Sequence, residues 1–141
     1  MNLISHRGNI DGPKKNLENS PEYISKALDN GFDVEIDLRF LDSFFYLGHD
    51  KADYKIDTNF LLTKGLWCHA KNVEALEELK KLGCTYFWHE NDDYTLTSNG
   101  FIWAYPGSKL TENSICVLPE KANYSTFNCA GICSDFITKY K

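Results

Sequence analysis

Apolar and polar residues alternate along Val34-Glu35-Ile36-Asp37-Leu38-Arg39 with the period of a strand whose two faces differ. Val34, Ile36 and Leu38 fall on one face, and Glu35, Asp37 and Arg39 on the other. Shorter apolar runs of strand character recur at 3–6, 44–47, 66–71, 85–89, 101–105, 114–118 and 130–133. Helical spacing replaces the alternation in two places. The first helix opens at Pro21 with Asn19 or Ser20 as its cap, carries Tyr23, Ile24, Ala27 and Leu28 at helical spacing, and stops at Asn30-Gly31. The second runs from Val73 to Leu82 behind an Asn72 cap, with Val73, Leu76, Leu79 and Leu82 as its apolar stripe and Gly83 as its stop. A short helix fits within Ile56 to Lys64, capped by Asp57 or Thr58, and another follows Ser134-Asp135. Residues 90–100 are too short and too rich in turn formers to make a helix.

The unit from Leu3 to Arg39 is strand, helix, strand, with the length of a parallel crossover. Carried along the chain, this pattern predicts one α/β domain over residues 1–141. About seven core strands are expected in it, with only two convincing helices between them.

Composition narrows the class. A chain of 141 residues with 43% hydrophobic and 14% aromatic content has the material for one real core. The net charge of −5 argues against generic nucleic-acid binding, yet leaves room for a local phosphate site. Met1 to Arg7 lacks the apolar stretch of a secretory signal, and no segment approaches a membrane span. The cysteines Cys68, Cys84, Cys116, Cys129 and Cys133 are odd in number and lack zinc-finger spacing. Buried, reduced thiols in a cytoplasmic protein are the expectation.

Candidate chemistry begins with Glu35 and Asp37. Two carboxylates on one strand face pack poorly against a core but suit a hard cation. The plainer reading is a solvated strand end, or an ion pair to Arg39. Two more acid–base clusters stand at strand ends, His6-Arg7 and His49-Asp50, while His69 and Lys71 share a strand face. His89, near Glu90, Asp92 and Asp93, reads as a polar loop at a mouth, or as a second source of carboxylates. Trp67, Trp88 and Trp103 read as core or mouth residues rather than as a stacking platform for bases. Lys14-Lys15 and Lys80-Lys81 read as solvated charges, and Asp135 as an acceptor near the end of the last strand.

The ordered set Ser5-His6-Arg7-Gly8, Val34-Glu35-Ile36-Asp37 and Gly48-His49-Asp50 resembles the glycerophosphodiester phosphodiesterase family, within the phospholipase C-like phosphodiesterases. Asn19-Ser20-Pro21 is similar to the start of the family's first helix, and Gly131-Ile132-Cys133-Ser134-Asp135 to its final barrel strand. The resemblance implies metal-dependent hydrolysis of a small, glycerophosphodiester-like substrate on an α/β fold, a reduced or incomplete (β/α) TIM-type barrel with about seven core strands and few covering helices. Glu35 and Asp37 would bind Mg²⁺ or Ca²⁺, Arg7 and Lys71 the phosphate, and His6 and His49 would exchange protons. His69-Ala70-Lys71 stands where the family has Glu-x-Lys, which makes His69 the third candidate metal ligand and admits Mn²⁺ or Zn²⁺. The few residues after His49-Asp50 leave no insertion to form a large lipid pocket. Two alternatives accompany this reading: a degenerate module that binds phosphodiesters without turnover, and a structural subunit that completes its sheet as a homo-oligomer.

Overall fold

In the computed structural model, which describes residues 1–141, the chain forms ten strands. These are β1 (Asn2–His6), β2 (Asp33–Leu41), β3 (Phe44–Leu47), β4 (Tyr54–Ile56), β5 (Leu66–Ala70), β6 (Thr85–Phe87), β7 (Tyr94–Leu96), β8 (Ile102–Ala104), β9 (Ser114–Val117) and β10 (Gly131–Ser134). Three short helices accompany them: α1 (Pro21–Asp29), α2 (Thr58–Leu61) and α3 (Val73–Leu79). Strands β6, β5, β2, β1, β10, β9 and β8 lie side by side in that order and run parallel. β3 pairs antiparallel with the C-terminal half of β2, β4 with β3, and β7 with β8.

The alternation along β2 is used on both faces. Val34, Ile36 and Leu38 are fully buried beneath Ile24 and Ala27 of α1 and Ala75 and Leu79 of α3. Burial of each large aliphatic side chain contributes about 1.5–3 kcal/mol, which holds both helices on the outer face. Each helix begins where its cap sits. The Ser20 side chain accepts from Tyr23 N, and Asn72 Oδ1 accepts from Ala75 N at 3.0 Å. Asn72 also exchanges hydrogen bonds with both backbone groups of Phe40, which fixes α3 to the end of β2.

Glu35 and Asp37 face the inner side. The sheet curls around that side, and its floor is made by Ile4, Trp67, Phe87, Trp103, Ile115, Val117, Leu118 and Cys133. Curling brings the ends of the parallel array together: the rings of Phe87 on β6 and Trp103 on β8 lie 4.5 Å apart. Beside them Ser98 N donates to Tyr86 O, and Tyr86 N donates to Ser98 Oγ.

The expected α/β TIM-type barrel with covering helices is not what forms. The sheet is mixed, strands dominate, and the helices have only 9, 4 and 7 residues. The reason lies after β6. Pro106-Gly107 interrupts the connection from β8 to β9, and only a 3₁₀ turn at Pro119–Lys121 interrupts the next. Instead of helices, the 3₁₀ turn at Ile137–Tyr140 and side chains such as Phe127 pack over Cys116 and Ile132. The short helix expected within Ile56 to Lys64 forms as the single turn α2, with Asp57 as its cap.

All five cysteines are free thiols, with Cys68, Cys116 and Cys133 buried. No helix is long and apolar enough to cross a membrane.

Candidate functional site

Glu35 and Asp37 project from the middle of β2 and are almost wholly buried. His69 projects beside them from β5, where Asp37 and His69 are register partners. Its Nδ1 stands 3.5 Å from Glu35 Oε1 and 3.5 Å from Asp37 Oδ1. The other ring nitrogen, Nε2, donates to the carbonyl of His89 at 2.8 Å. Glu35, Asp37 and His69 each offer one donor atom within 4.8 Å of the others.

Asp37 is held from its far side. Asn19 Nδ2 donates to Asp37 Oδ2 at 2.9 Å, and Asp37 N donates to Asn19 Oδ1 at 2.9 Å. Arg7 Nε stands 3.0 Å from the same Oδ2, and Arg7 Nη1 reaches Glu18 Oε2 at 3.4 Å. Arg7 and Asn19 both adopt positive φ, 57° and 63°, in the turns that follow β1 and precede α1. Burial works against the charge on Asp37, but the Arg7 guanidinium, with the Asn19 hydrogen bond, holds its carboxyl below the usual carboxylate range. Two buried carboxylate oxygens, Glu35 Oε2 and Asp37 Oδ1, take no hydrogen bond.

Each candidate acid–base histidine has an aspartate on Nδ1. His6 at the end of β1 donates from Nδ1 to Asp135 Oδ1 at 2.7 Å, and its Nε2 lies 3.8 Å from Glu35 Oε2. Burial alone would lower the pKa of His6, yet the Asp135 hydrogen bond and the Glu35 charge raise it above the ordinary 6.5. Asp135 also accepts from Asn9 Nδ2 at 2.9 Å, and Asn9 donates in turn to Glu18 Oε1 at 3.0 Å. His49, in the turn after β3, pairs its Nδ1 with Asp50 Oδ1 at 2.7 Å on a more exposed rim. The Arg39 guanidinium donates to the His49 carbonyl and so ties that rim to β2, rather than pairing with Glu35 or Asp37.

His6, Arg7, Glu35, His49, His69 and Lys71 all line one cleft of about 1000 Å³, and Asp37 lies directly behind His69 and Arg7. Lys15, Lys51 and Lys121 add positive charge to its walls despite the acidic balance of the chain. His89 is buried, its ring stacked on Tyr105 with centroids 4.4 Å apart and its Nε2 bonded to the Asp92 carbonyl. Its part in the site is the backbone oxygen that holds His69. Trp67 and Trp103 belong to the floor, and Trp88 packs on the outer core.

Three residues that sequence reasoning passed over hold this arrangement together: Asn9, Glu18 and Asn19. Asn19 had a signal, its place in the family-like helix start. Asn9 and Glu18 had none beyond a turn-rich loop and a charge just ahead of the first helix. No protein-family model, no curated protein and no solved structure matches the chain.

Proposed function

We propose that the protein hydrolyses a small phosphodiester at this cleft with the help of a divalent metal ion. The observation that carries the reading is the trio at its floor. His69 Nε2 gives its hydrogen to a carbonyl, so in the neutral ring Nδ1 is a bare lone pair facing two carboxylate oxygens at 3.5 Å. Three acceptors turned towards one another, two on orphaned buried carboxylates, suit a cation. Glu35, Asp37 and His69 would hold it. A divalent ion there would neutralise charge that builds on the phosphate oxygens in the transition state.

The chain's own residues account for the remaining chemistry. Arg7 is fixed by Asp37 and Glu18 on one side of its fork, and its remaining N–H groups serve the phosphate with Lys71. Asp135 and Asp50 hold the Nδ1 hydrogens of His6 and His49, so proton exchange falls to Nε2 of each ring. One imidazole takes the proton of the attacking water or substrate hydroxyl as the new P–O bond forms. The other gives a proton to the alkoxide as the old P–O bond breaks.

The test is release of alcohol from glycerophosphodiesters and from a chromogenic aryl phosphodiester, with Mg²⁺, Ca²⁺ and Mn²⁺ added in turn. His6→Ala and Glu35→Ala should each lower kcat by about 100-fold or more. Turnover indifferent to both substitutions would overturn the proposal. Calorimetric binding without product over hours would assign the cleft to a phosphodiester-binding module instead.

A further inference from the structure

We infer that the Glu35–Asp37–His69 cluster selects a borderline first-row divalent ion, from Mn²⁺ to Zn²⁺, in preference to Mg²⁺ and Ca²⁺. The inference rests on the metal-centre reading above and concerns which ion that centre takes.

The donor set is the first argument. An imidazole nitrogen faces the two carboxylate oxygens at equal distances of 3.5 Å. Imidazole nitrogen suits Fe, Ni, Cu and Zn, and Mn²⁺ begins the same rising series of affinities, whereas Mg²⁺ and Ca²⁺ take oxygen. The ring's orientation is fixed: its Nε2–H is committed to the His89 carbonyl at 2.8 Å, and its face stacks on Phe87 with centroids 4.8 Å apart. His89 itself is immobilised by Tyr105 and by the Asp92 carbonyl. Metal-bound histidines are typically held through the other ring nitrogen in this way, which selects the tautomer and raises basicity at the ligating atom.

Denticity is the second. Asp37 Oδ2 is occupied by Asn19 Nδ2 at 2.9 Å and by Arg7 Nε at 3.0 Å, so only the orphaned Oδ1 is free. A Ca²⁺ ion seeks six to eight oxygens and commonly draws on bidentate carboxylates. A buried trio with one oxygen from Asp37 and one nitrogen from His69 supplies few donors and leaves positions for substrate. That set disfavours Ca²⁺, and its nitrogen donor separates it from the all-oxygen sites of Mg²⁺.

The experiment needs no substrate. Metal-free protein, prepared by chelation, is titrated with Mn²⁺ (followed by loss of the free-ion paramagnetic resonance signal) and with Zn²⁺ by calorimetry. Both titrations are repeated in excess Mg²⁺ and in excess Ca²⁺. Mn²⁺ and Zn²⁺ should bind one per chain at least ~10-fold more tightly than Mg²⁺ or Ca²⁺. His69→Gln should weaken Zn²⁺ by at least ~10-fold with little effect on Mg²⁺, and His69→Glu should move the preference towards Mg²⁺ and Ca²⁺. Equal affinities in the wild-type protein, a measurement that needs no variant, would overturn the inference while leaving the metal-dependent hydrolase in place. No binding by any of the four ions would overturn both.

Discussion

Asn19 meets Asp37 twice, through its amide nitrogen at Oδ2 and through its amide oxygen at the backbone N–H, both at 2.9 Å. Asn19→Ala leaves a buried N–H without an acceptor and a buried carboxylate short of a donor. The expected loss is about 2–4 kcal/mol by urea denaturation, and a loss under about 0.5 kcal/mol would show that water replaces the amide. The sequence marked Asn19 as an alternative to Ser20 for a helix cap and as part of a family-like helix start, not as a partner of Asp37. Capping preference is a local rule, whereas the Asn19–Asp37 pairing depends on how β2 lies against the turn before α1. Asp135 carries a pH dependence that follows from its partners. Burial would raise its pKa, but the hydrogen bond and charge of His6, with Asn9, hold it below the ordinary 3.8. A lowered carboxylate pKa contributes stability that is full above the unfolded value and is lost as pH falls through the folded one. The stability gap between wild type and Asp135→Asn should therefore narrow as pH drops from 6 towards 2. Parallel stability curves across that range would contradict the assignment.

Elements with long, strongly periodic patterns were legible: β2 with its two faces, α1 and α3 with their caps. β4 and β7 were not. Each has three residues, too few to establish a period, and each exists because a neighbouring strand offers an edge. The barrel expectation failed for another reason. It carried the barrel of the resembling family over the whole chain, while the connections after β6 form no α-helix and the one from β8 to β9 is broken by Pro106-Gly107. The turn after β3 shows how an element places chemistry. Gly48 has φ +148°, and a Cβ there would stand 1.9 Å from the Lys51 carbonyl oxygen. Gly48→Ala must move the 48–53 turn that carries His49 and Asp50. It should destabilise the fold by about 1–3 kcal/mol and lower kcat more than it raises KM. Unchanged melting and kinetics would mean that the turn absorbs the methyl group without displacing His49.

For the whole molecule, the inner aromatic cluster holds the curled sheet together. Trp103 touches both Trp67 and Phe87, with ring centroids at 5.9 and 4.5 Å, and so joins β8 to the far end of the parallel array. Trp103→Ala should lose about 3–5 kcal/mol of stability, and with it any metal affinity of the proposed centre as the cleft wall loosens. Retention of both stability and metal affinity would show that the Ser98–Tyr86 hydrogen bonds suffice to hold the ends together. The first and last strands lie side by side at the centre of the sheet, with Asn2 opposite Gly131 and Ser5 opposite Ser134. His6 and Asp135, one at the end of each strand's run, meet only once that pairing is made. The chain must therefore close its largest loop before the site exists. Refolding belongs on the millisecond-to-second scale of topologies rich in distant contacts, not the microsecond scale of helical bundles. The loop-closure barrier that slows assembly also ties formation of the His6–Asp135 pair to the arrival of the final strand, so the proposed activity and global folding should return with a single time constant.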